Sequence, residues 1–355
     1  MAVTVYDVAK KAKVGIGTVS RVVNNSPQIS PKTKEKVLKV IKDLKYQPHA
    51  MAQSLARKKS NTIACIVPDF TGYFFVELLR GIQQEISKHN YDLILYSVDE
   101  IEKKELFLQR TMQEKKVDGV LLLSLEISDC DAEKFIHSRL PIVLVDSSHP
   151  RLDSIIIENK QGAYLATNHL LELGHRRVAM ITGLISSMPS SVRLNGYKKA
   201  LKNYKIKFNE KYLVAVNPDD SVELTTNHGF NEKAGYNAMQ QLLDLNKEKP
   251  TAVFISSDIQ AIGAVRAITE RGLRTPEDIA IVGFDDIQFA NFLGLTTIHQ
   301  PIEDMGHLAV KRLLERMNNK NGSLYEKKLK TRLIIRQTCG TCLKNSSLKK
   351  IKIIT

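Results

Sequence analysis

The sequence predicts two parts: an N-terminal all-α helix-turn-helix head with a hinge helix, and an α/β body of two doubly wound, parallel-sheet subdomains. Charge divides the chain in the same way, because residues 1–60 carry 13 Lys/Arg against 3 Asp/Glu whereas residues 61–340 are neutral. Apolar residues repeat at helical spacing in the head, and β-branched runs alternate with helical stretches in the body. A basic head on a neutral body is typical of a nucleic-acid-binding module joined to a second domain, although a solvated basic segment without a partner would carry the same charge.

Length and composition are those of a globular protein. The chain has 355 residues, enough for two or three domains, of which 43% are hydrophobic and 25% charged. No apolar run reaches the roughly 18–20 residues that cross a bilayer, and the N-terminus lacks the apolar stretch of a signal peptide. The 4 cysteines are too few and too scattered for a disulfide scaffold. We therefore expect a cytoplasmic protein with no membrane partner.

The first two helices of the head are marked by a cap and a break. Thr4 and Asp7 have capping-box spacing, which predicts a helix that begins after Thr4. The apolar stripe of this helix consists of Val5, Val8, Ala9 and Ala12. Gly15 interrupts the pattern, and a second helix is predicted from about Ile16 to Asn24. The apolar face of the second helix consists of Val19, Val22 and Val23.

A third helix is predicted to begin at Ser30-Pro31, a serine cap followed by proline at the first helical position. Its expected buried stripe consists of Val37, Leu38, Ile41 and Leu44. Three short helices with a tight turn between the first two describe a helix-turn-helix domain, which we assign to residues 1–48. The second helix of such a domain lies in the DNA major groove with its N-terminal residues at the base edges.

The polar face of the second helix suggests how bases are read. Arg21 carries the donor fork that bridges guanine O6 and N7, whereas Ile16, followed by Gly17, suits contact with a thymine methyl group. Side chains suited to phosphate contacts are Tyr6, Thr18, Ser20 and Asn24. A surface salt bridge is the alternative role for Arg21.

The head resembles the DNA-binding domain of the lactose/galactose repressor family. The resemblance is carried by TVSRVVN at residues 18–24 and by Tyr46-x-Pro48 followed by Ala52-x-x-Leu55-Ala56. Two positions depart from the family pattern: Gly15 stands where Ser is usual, and His49 where Asn is usual. The resemblance adds Thr4, Tyr46 and His49 to the candidate DNA contacts.

Residues 49–60 form the predicted hinge. A segment this short is not a stable helix by itself in water, so a disordered linker is one interpretation. The resemblance implies instead a hinge helix that forms against its dimer mate in the minor groove. In that arrangement Leu55 wedges between base steps, with Ala52 and Gln53 near the DNA backbone.

The body alternates strands and helices. The predicted strands lie at residues 62–68, 91–98, 119–124, 141–146, 177–183, 212–216, 252–257 and 279–286. Ligands of doubly wound sheets bind outside the carboxyl ends of the strands. The acidic residues that follow these runs are Asp69, Asp146, Asp258 and Asp285.

The body, residues 61–340, resembles the type I periplasmic sugar-binding fold that this repressor family carries. Matching segments are GYFF at 72–75, LGHRRVAMITG at 173–183, Ser190 to Tyr197, and VGFDD at 282–286. The resemblance implies one subdomain of residues 61–160 and 292–324, a second of residues 161–291 and 325–340, and an effector between them.

The effector candidates come from the same resemblance. They are Tyr73, Phe74, Asp146, Ser190, Arg193, Phe230, Ser257, Asp258, Asp285 and Gln300. An arginine with carboxylates suits a polyol, and an aromatic face packs on a sugar or base ring. The alternative for each aspartate is a helix N-cap, and for the two phenylalanines it is core packing. Ser257 stands where relatives often have Asn, which bears on which ligand fits.

We expect neither a metal nor a cofactor. The sequence contains no phosphate-binding loop, dinucleotide fingerprint or zinc-protease helix. Cys339 and Cys342 have CxxC spacing, but a single pair without histidine partners is a weak metal signal, and we expect a reduced, inert pair. Residues 341–355 carry 4 lysines and no acid and read as a disordered tail. The apolar residues of the tail keep no heptad register, which favours a homodimer over a tetramer.

These expectations converge on a repressor of carbohydrate-metabolism genes that binds a pseudo-palindromic double-stranded operator under the control of a small sugar-like effector. Three alternatives stay open. A sugar-binding transport protein would share the body but have no use for the head. A catabolite control protein, which responds to a phosphorylated carrier protein, would share every feature. An enzyme is disfavoured because no catalytic constellation is evident.

Overall fold

The head and most of the body are defined in the computed structural model of the chain. It describes residues 3–23, 28–46, 60–98, 101–113, 116–319 and 322–341. Asn24, the hinge candidates His49, Ala52, Gln53 and Leu55, and Cys342 lie outside the described residues. No helix in the described ranges is both long and apolar enough to cross a membrane.

The head consists of three helices, as the sequence predicts. They are α1, Val5–Ala12; α2, Ile16–Val23; and α3, Pro31–Asp43. Asp7 closes the predicted capping box, because its Oδ2 accepts hydrogen bonds from the backbone N of Thr4 at 2.8 Å and from Thr4 Oγ1 at 2.7 Å. At the start of α3, the Ser30 hydroxyl accepts from the Thr33 amide at 3.3 Å.

The head has its own small core, and one residue of the predicted stripe lies outside it. Val8, Ala12, Val19 and Val37 are fully buried. Leu38 was expected among them but is 46% exposed. The buried face of α3 instead continues from Val37 to Val40, Ile41 and Leu44. These positions repeat at i, i+3, i+4 and i+7, and Leu38 is rotated about 100° away from Val37.

The first sheet of the body is parallel throughout. Its strands are β1, Thr62–Val67; β2, Asp92–Ser97; β3, Gly119–Leu123; β4, Ile142–Val145; β5, Asp153–Ile157; and β11, Glu326–Leu329. Their order across the sheet is β11-β5-β4-β3-β1-β2.

The second sheet repeats this plan with one antiparallel edge. Its strands are β6, Val178–Thr182; β7, Leu213–Ala215; β8, Ala252–Ile255; β9, Ala280–Asp285; β10, Thr297–His299; and β12, Arg332–Ile334. The order is β12-β10-β9-β8-β6-β7, and β12 runs antiparallel to β10.

Helices connect the strands and cover the sheets. They are α4, Tyr73–Ile86; α5, Ile101–Gln113; α6, Asp129–Ser138; α7, Asn159–Glu172; α8, Met188–Asn203; α9, Val222–Thr225; α10, Glu232–Leu243; α11, Asp258–Glu270; α12, Gln288–Phe292; and α13, Ile302–Asn318. Because helices cover both faces, the central strands β3, β4, β6, β8 and β9 are buried along their whole length. That burial explains their continuous apolar sequences.

The chain crosses between the sheets three times, and the last two crossings differ from the predicted boundaries. The first crossing joins β5 to α7. Residues 292–324 were assigned to the first subdomain, but β10 pairs with β9 in the second sheet. Residues 325–340 were assigned to the second subdomain, but β11 pairs with β5 in the first sheet. The crossings therefore follow β10 and β11, and all three lie along the β5/β11 and β10/β12 edges.

A buried carboxylate anchors α13 to the first sheet. Asp153, 1% exposed, accepts hydrogen bonds from Arg312 Nε at 2.9 Å, Arg316 Nε at 2.5 Å and the Tyr325 amide at 2.9 Å. Burial raises the pKa of Asp153, but the two arginines outweigh it, so that the pKa lies below the ordinary value. Charge-assisted, bidentate pairs of this kind are strong and also fix the orientation of both side chains. Because Asp153 also accepts from the Tyr325 amide, it holds the start of β11 in place.

Candidate functional site

The recognition candidates of the head lie on its surface. Ile16 is 42% exposed and Tyr6 67% exposed, while Gly17 and Arg21 are exposed and Thr18 and Ser20 half-buried. Arg21 Nε donates to the carbonyl oxygen of Gly17 at 3.1 Å, one turn back along α2. This bond uses one of the five guanidinium N–H donors. Tyr46 is half-buried against the head core, and Thr4 is engaged in the capping box.

The body contains a cleft between its two sheets. A cavity of about 880 Å³ is lined from both subdomains at the carboxyl ends of the strands. Seven sequence candidates line it: Tyr73, Phe74, Asp146, Arg193, Phe230, Ser257 and Asp285. The position agrees with the rule that doubly wound sheets bind ligands beyond their carboxyl ends.

Arg193 of α8 is the cation at the centre of the cleft and is only 4% exposed. Its Nε donates to Asn159 Oδ1 at 2.8 Å, its Nη1 donates to the Ser256 carbonyl, and Nη1 lies 3.8 Å from Asp285 Oδ1. The guanidinium carbon lies 3.8 Å from the ring centroid of Phe284 and 5.7 Å from that of Phe230. Burial lowers the pKa of Arg193, which the carboxylates of Asp285, Asp146 and Asp258 oppose. The plane of the guanidinium is therefore fixed before any ligand arrives.

Asp285 is the last residue of β9 and faces Arg193. Its Oδ1 accepts a hydrogen bond from Gln300 Nε2, and burial raises its pKa to about 7 although Arg193 opposes the shift. Its backbone has φ 124°, a strained value for a residue with a side chain. Asp285 thus titrates in the neutral range, unlike an exposed carboxylate.

Asp146 follows β4 and reaches the cleft from the first subdomain. Its Oδ2 accepts from Ser124 Oγ at 2.9 Å, while its buried Oδ1 has no protein partner, nor has the neighbouring Ser147 Oγ. Burial raises the pKa of Asp146, and Arg193 opposes the shift. Buried polar atoms without partners are costly, so these two atoms are suited to hydrogen bonds from a ligand.

Three candidates lie behind the cleft wall. Asp258 Oδ1 accepts from Thr297 Oγ1 at 2.5 Å, and its Oδ2 accepts from the Ile287 amide at 3.1 Å. Burial and then the like charge of Asp285 raise its pKa well above the ordinary value. Ser190 is fully buried against Ser187, and Gln300 touches Asp285 from the crossing after β10. Ser190, Asp258 and Gln300 therefore form hydrogen bonds with residues that line the cleft, namely Ser187, Ile287 and Asp285.

The aromatic candidates occupy different positions in the wall. Tyr73 is 40% exposed and packs edge-to-face on Phe289, with ring centroids 4.9 Å apart. Phe74 packs on Phe75 at 5.3 Å, and half-buried Phe230 lies beside Arg193. Phe74 and Phe230 line the cleft from opposite subdomains, as a ring-shaped ligand requires.

The structure adds lining residues that the sequence reasoning missed. Lys104 and Glu126 come from the first subdomain, and Asn227 and His228 from the second. Glu126 follows the predicted strand at 119–124, so inspection of every polar residue after a strand would have found it. The other three required the tertiary structure, because nothing local marks them.

Cys339 belongs to the body and not to the tail. Its side chain is 1% exposed and lies 3.0 Å from Thr341 Oγ1. Burial raises the pKa of Cys339, but hydrogen bonds with His169, Thr296 and Thr341 outweigh it and bring the pKa to about 7. Within the described residues, no three His, Cys, Asp or Glu side chains are placed to hold a metal ion.

Comparison with known proteins matches both parts of the chain. A family model described as "Bacterial regulatory proteins, lacI family" matches residues 4–49, and one described as "Periplasmic binding protein-like domain" matches residues 167–339. Catabolite control protein A of Priestia megaterium is 35% identical over 90% of this chain and 93% of that protein.

A second relative and a solved structure cover nearly the whole chain. The ribose operon repressor of Haemophilus influenzae is 35% identical over 94% of this chain and 98% of that protein. The structure of the lac repressor dimer bound to operator and the anti-inducer ONPF is similar with a TM-score of 0.79 and 29% identity. It covers 96% of this chain and 99% of that chain.

Proposed function

Because the chain belongs to the lacI family of bacterial regulatory proteins, and is therefore a sugar-responsive transcription regulator and not an enzyme, we propose that it is a homodimeric, cytoplasmic repressor of carbohydrate-metabolism genes. Its operator is a pseudo-palindromic DNA duplex, and its effector is a sugar or sugar derivative held between the two subdomains. The observation that carries this proposal is the pre-oriented Arg193 in a cleft that both subdomains line.

The head supports DNA recognition through α2. Its exposed face presents Ile16 and Arg21 on a helix that a buried valine stripe holds against α1 and α3. A bidentate contact between arginine and guanine supplies about 1–3 kcal/mol of discrimination. We assign Arg21 to a guanine and Ile16 to a thymine methyl group.

The cleft supports a polyhydroxylated effector. Ionised Asp146 and Asp285 accept hydrogen bonds from hydroxyl groups, and Arg193 donates them. Phe74 and Phe230 offer apolar faces to a ring between them. The unpartnered Oδ1 of Asp146 and Oγ of Ser147 gain partners when such a ligand binds.

Two exposed apolar regions support the homodimer. In the first subdomain, Val76 of α4, Leu95 of β2 and Leu106 of α5 are each more than 40% exposed. In the second, Phe289 is 42% exposed, Phe292 76% and Leu293 43%. Exposed apolar surface of this kind marks interaction sites, and a two-fold dimer would bury it and place two heads on two operator half-sites.

The three chain crossings between the subdomains allow effector binding to be coupled to operator binding. All three lie at one edge of the body, so the two subdomains can rotate about them as the cleft closes on a ligand. Such a rotation changes the spacing of the paired subdomains and thereby the spacing of the two heads on the operator half-sites. Coupling between effector and operator of about 1–3 kcal/mol is typical of such systems.

The experiment combines an effector screen with operator binding. A thermal-shift screen of sugars, sugar phosphates and purines identifies the ligand, and fluorescence anisotropy then measures affinity for a selected operator with and without it. We expect a sugar to raise the melting temperature and to change operator affinity at least about fivefold. Operator binding that no stabilising ligand changes would contradict the proposed control, while leaving DNA binding intact.

The similarity to catabolite control protein A favours a second candidate, regulation by a phosphorylated carrier protein. Surface plasmon resonance of operator binding, with the phosphorylated and with the unphosphorylated carrier, distinguishes control by the carrier from control by a sugar. Tighter operator binding with the phosphorylated form alone would support this candidate. No difference between the two forms would leave the sugar-controlled repressor.

A further inference from the structure

A run of lysines covers the end of α8 and the segment that follows it. Residues 61–340 as a whole are neutral, yet residues 195–209 contain five lysines and no acidic residue. With the exposed Arg176, which lies just before β6, these exposed lysines form what we call the α8 lysine patch. The lysines of the patch are Lys198, Lys199, Lys202, Lys205 and Lys207. The neutral body therefore carries a concentration of positive charge that is separate from the basic head.

Aromatic rings hold two of the lysines in place. Lys198 Nζ lies 4.3 Å from the ring centroid of Phe208, and Lys199 Nζ lies 5.0 Å from the ring centroid of Tyr164 in α7. The hydroxyl of Tyr164 also accepts a hydrogen bond from Asn203 Nδ2 at 3.0 Å, so that α7 and the end of α8 form one surface. A ring attracts an ammonium group but does not neutralise it, so the charge stays available to an anion.

No carboxylate in the part of the chain that the structure describes forms an ion pair with the α8 lysine patch. The guanidinium carbon of Arg176 lies 5.7 Å from the ring centroid of Tyr204 instead. By contrast, exposed Lys211 of the same subdomain pairs with Glu248 at 3.2 Å. Like charges at the i,i+3 and i,i+4 spacings of the lysines in α8 destabilise a helix by a few tenths of a kcal/mol. The fold itself therefore does not favour this arrangement, which points to an anionic partner.

The patch lies at the end of the body opposite to the point where the head joins it. Met188 at the start of α8 lines the cleft, whereas Tyr197 farther along donates from its hydroxyl to the carbonyl of Val178, the first residue of β6, at 2.9 Å. The chain enters the body at the amino end of the first sheet, where the Ser60 amide donates to Asp118 Oδ1 at 2.8 Å. The carboxyl ends of both sheets face the cleft, so their amino ends point in opposite directions. The patch is thus placed to contact something other than the operator that the heads hold.

The composition of the patch favours a nucleic acid over a protein partner. The centre of a protein interface is rich in exposed aromatic side chains and depleted of lysine. Here the apolar side chains between the lysines, Tyr204, Ile206 and Phe208, are half-buried, and the lysines themselves are exposed. Lysine is a compact point charge, and contacts from such charges to phosphates bind DNA without reading its sequence.

We propose that the α8 lysine patch binds the phosphate backbone of a second DNA duplex, independently of its sequence, while the heads hold the operator. A homodimer carries two such patches, so the operator-bound regulator bridges its operator to a neighbouring DNA segment. The inference goes beyond the proposed function and does not depend on which effector the cleft holds. Because the contact is electrostatic, it is weaker than operator binding and falls steeply with salt concentration.

Fluorescence anisotropy with the heads occupied tests the patch. The full chain is saturated with an operator duplex that it has selected from a random pool, and a labelled duplex of scrambled sequence is then added. A second dye on the operator reports that the operator stays bound. We expect the operator-bound chain to bind the scrambled duplex. A doubling of the salt concentration should weaken this binding by about tenfold, the value for roughly four phosphate contacts.

A triple charge reversal in α8 locates the site. The variant combines Lys198→Glu, Lys199→Glu and Lys202→Glu. It should bind the scrambled duplex at least about tenfold more weakly than the wild-type chain does, because phosphate contacts are lost and repulsion is added. Its operator affinity should stay unchanged. The corresponding triple glutamine variant should show a smaller loss in the same direction, because it removes the charge without reversing it.

The matched control applies the same charge reversal to three exposed lysines at the other end of the body. They are Lys311, Lys327 and Lys330. Because the net charge of the control equals that of the α8 variant, a general charge effect would weaken both alike. We expect the control to bind the scrambled duplex as the wild-type chain does.

The outcomes separate this inference from the proposed function. Absence of a second duplex on the operator-bound chain at low salt overturns the inference, and so does equal binding by the wild-type chain and the α8 variant. Poly-L-glutamate tests an acidic protein as the partner: if it binds the operator-bound chain more tightly than the scrambled duplex does, the assignment to DNA fails. None of these results touches the effector-controlled repressor, which depends on operator affinity with and without effector.

Discussion

The head and the cleft use the same residue types in opposite surroundings. In the head, the exposed Arg21 lies on α2 together with the recognition candidates Ile16 and Gly17. The exposed Asp7 caps α1. In the cleft, Arg193 is 4% exposed, and its partners Asn159, Ser256 and Asp285 come from three distant segments. An exposed cation can be changed without leaving a buried charge, whereas removal of Arg193 uncovers carboxylates that have already lost water. The two regions should therefore respond to mutation and pH in different ways.

The largest expected effect is on the cleft. Arg193→Ala leaves Asp285 and Asp146 without their buried counter-charge, which typically costs about 2–5 kcal/mol of binding. Effector affinity, measured by isothermal titration, should fall at least about thirtyfold, while operator affinity without effector stays unchanged. Arg151→Ala, an exposed arginine outside the cleft, is the control. An unchanged effector response in Arg193→Ala would remove Arg193 from the site.

The next effect tests the head. Arg21→Ala should cost about 1–3 kcal/mol of operator affinity while binding to random DNA changes much less. Effector binding should survive, because the substitution touches no residue of the cleft. Competition anisotropy with operator and scrambled duplexes measures the ratio. Lys42→Ala, on the exposed face of α3, should change both affinities alike. Retained operator selection by Arg21→Ala would refute the assignment.

The pH dependence should have opposite signs in the two regions. Burial raises the pKa of Asp285 to about 7, so its protonated form stabilises the fold fully below pH ~3.8, and this contribution is lost as the pH rises toward 7. Hydrogen bonds from Thr4 lower the pKa of Asp7, so its contribution is present above pH ~3.8 and is lost only in stronger acid.

The pH dependence of effector affinity tests the ionisation of Asp285 more directly than the pH dependence of folding stability does. Hydroxyl donors favour ionised Asp285, so effector affinity should fall by up to about tenfold between pH 8 and pH 6. Titration calorimetry at both values checks this, with Asp285→Asn as the variant that should lose the dependence. A flat profile in the wild-type chain would mean that Asp285 does not titrate in the cleft.

The smallest effect tests how independent the head is. Ser30→Ala removes the hydroxyl that accepts from the Thr33 amide and should cost about 1 kcal/mol of helix stability. Hydrogen exchange should show faster opening of α3, with no change in the strands of the body. Ser191→Ala, on a body helix, is the control. Faster exchange in the body of the Ser30 variant would show that the two regions unfold together.

Much of the fold was predictable because its signals are local. The three head helices and the eight strand runs follow from caps and apolar periodicity, and they are confirmed. Strands β5, β10, β11 and β12 were missed, and β10, β11 and β12 are only three or four residues long. Only pairing with a neighbour, such as Glu326–Leu329 with β5, makes them strands. The last two subdomain boundaries were misplaced for the same reason.

The sequence by itself determined the head: its charge, its helices and the exposure of Ile16 and Arg21 all depend on residues within one short segment. It also determined that acidic residues lie at the carboxyl ends of β4 and β9, because strand ends can be read from apolar runs. Only the tertiary structure decided which of them meet. It places Asp285 against Arg193 and Asp258 behind the wall, and it lines one cleft with Glu126 and His228 from different subdomains. The physical reason is that a helix cap forms between neighbours in the chain, whereas a cleft forms between segments that only folding brings together.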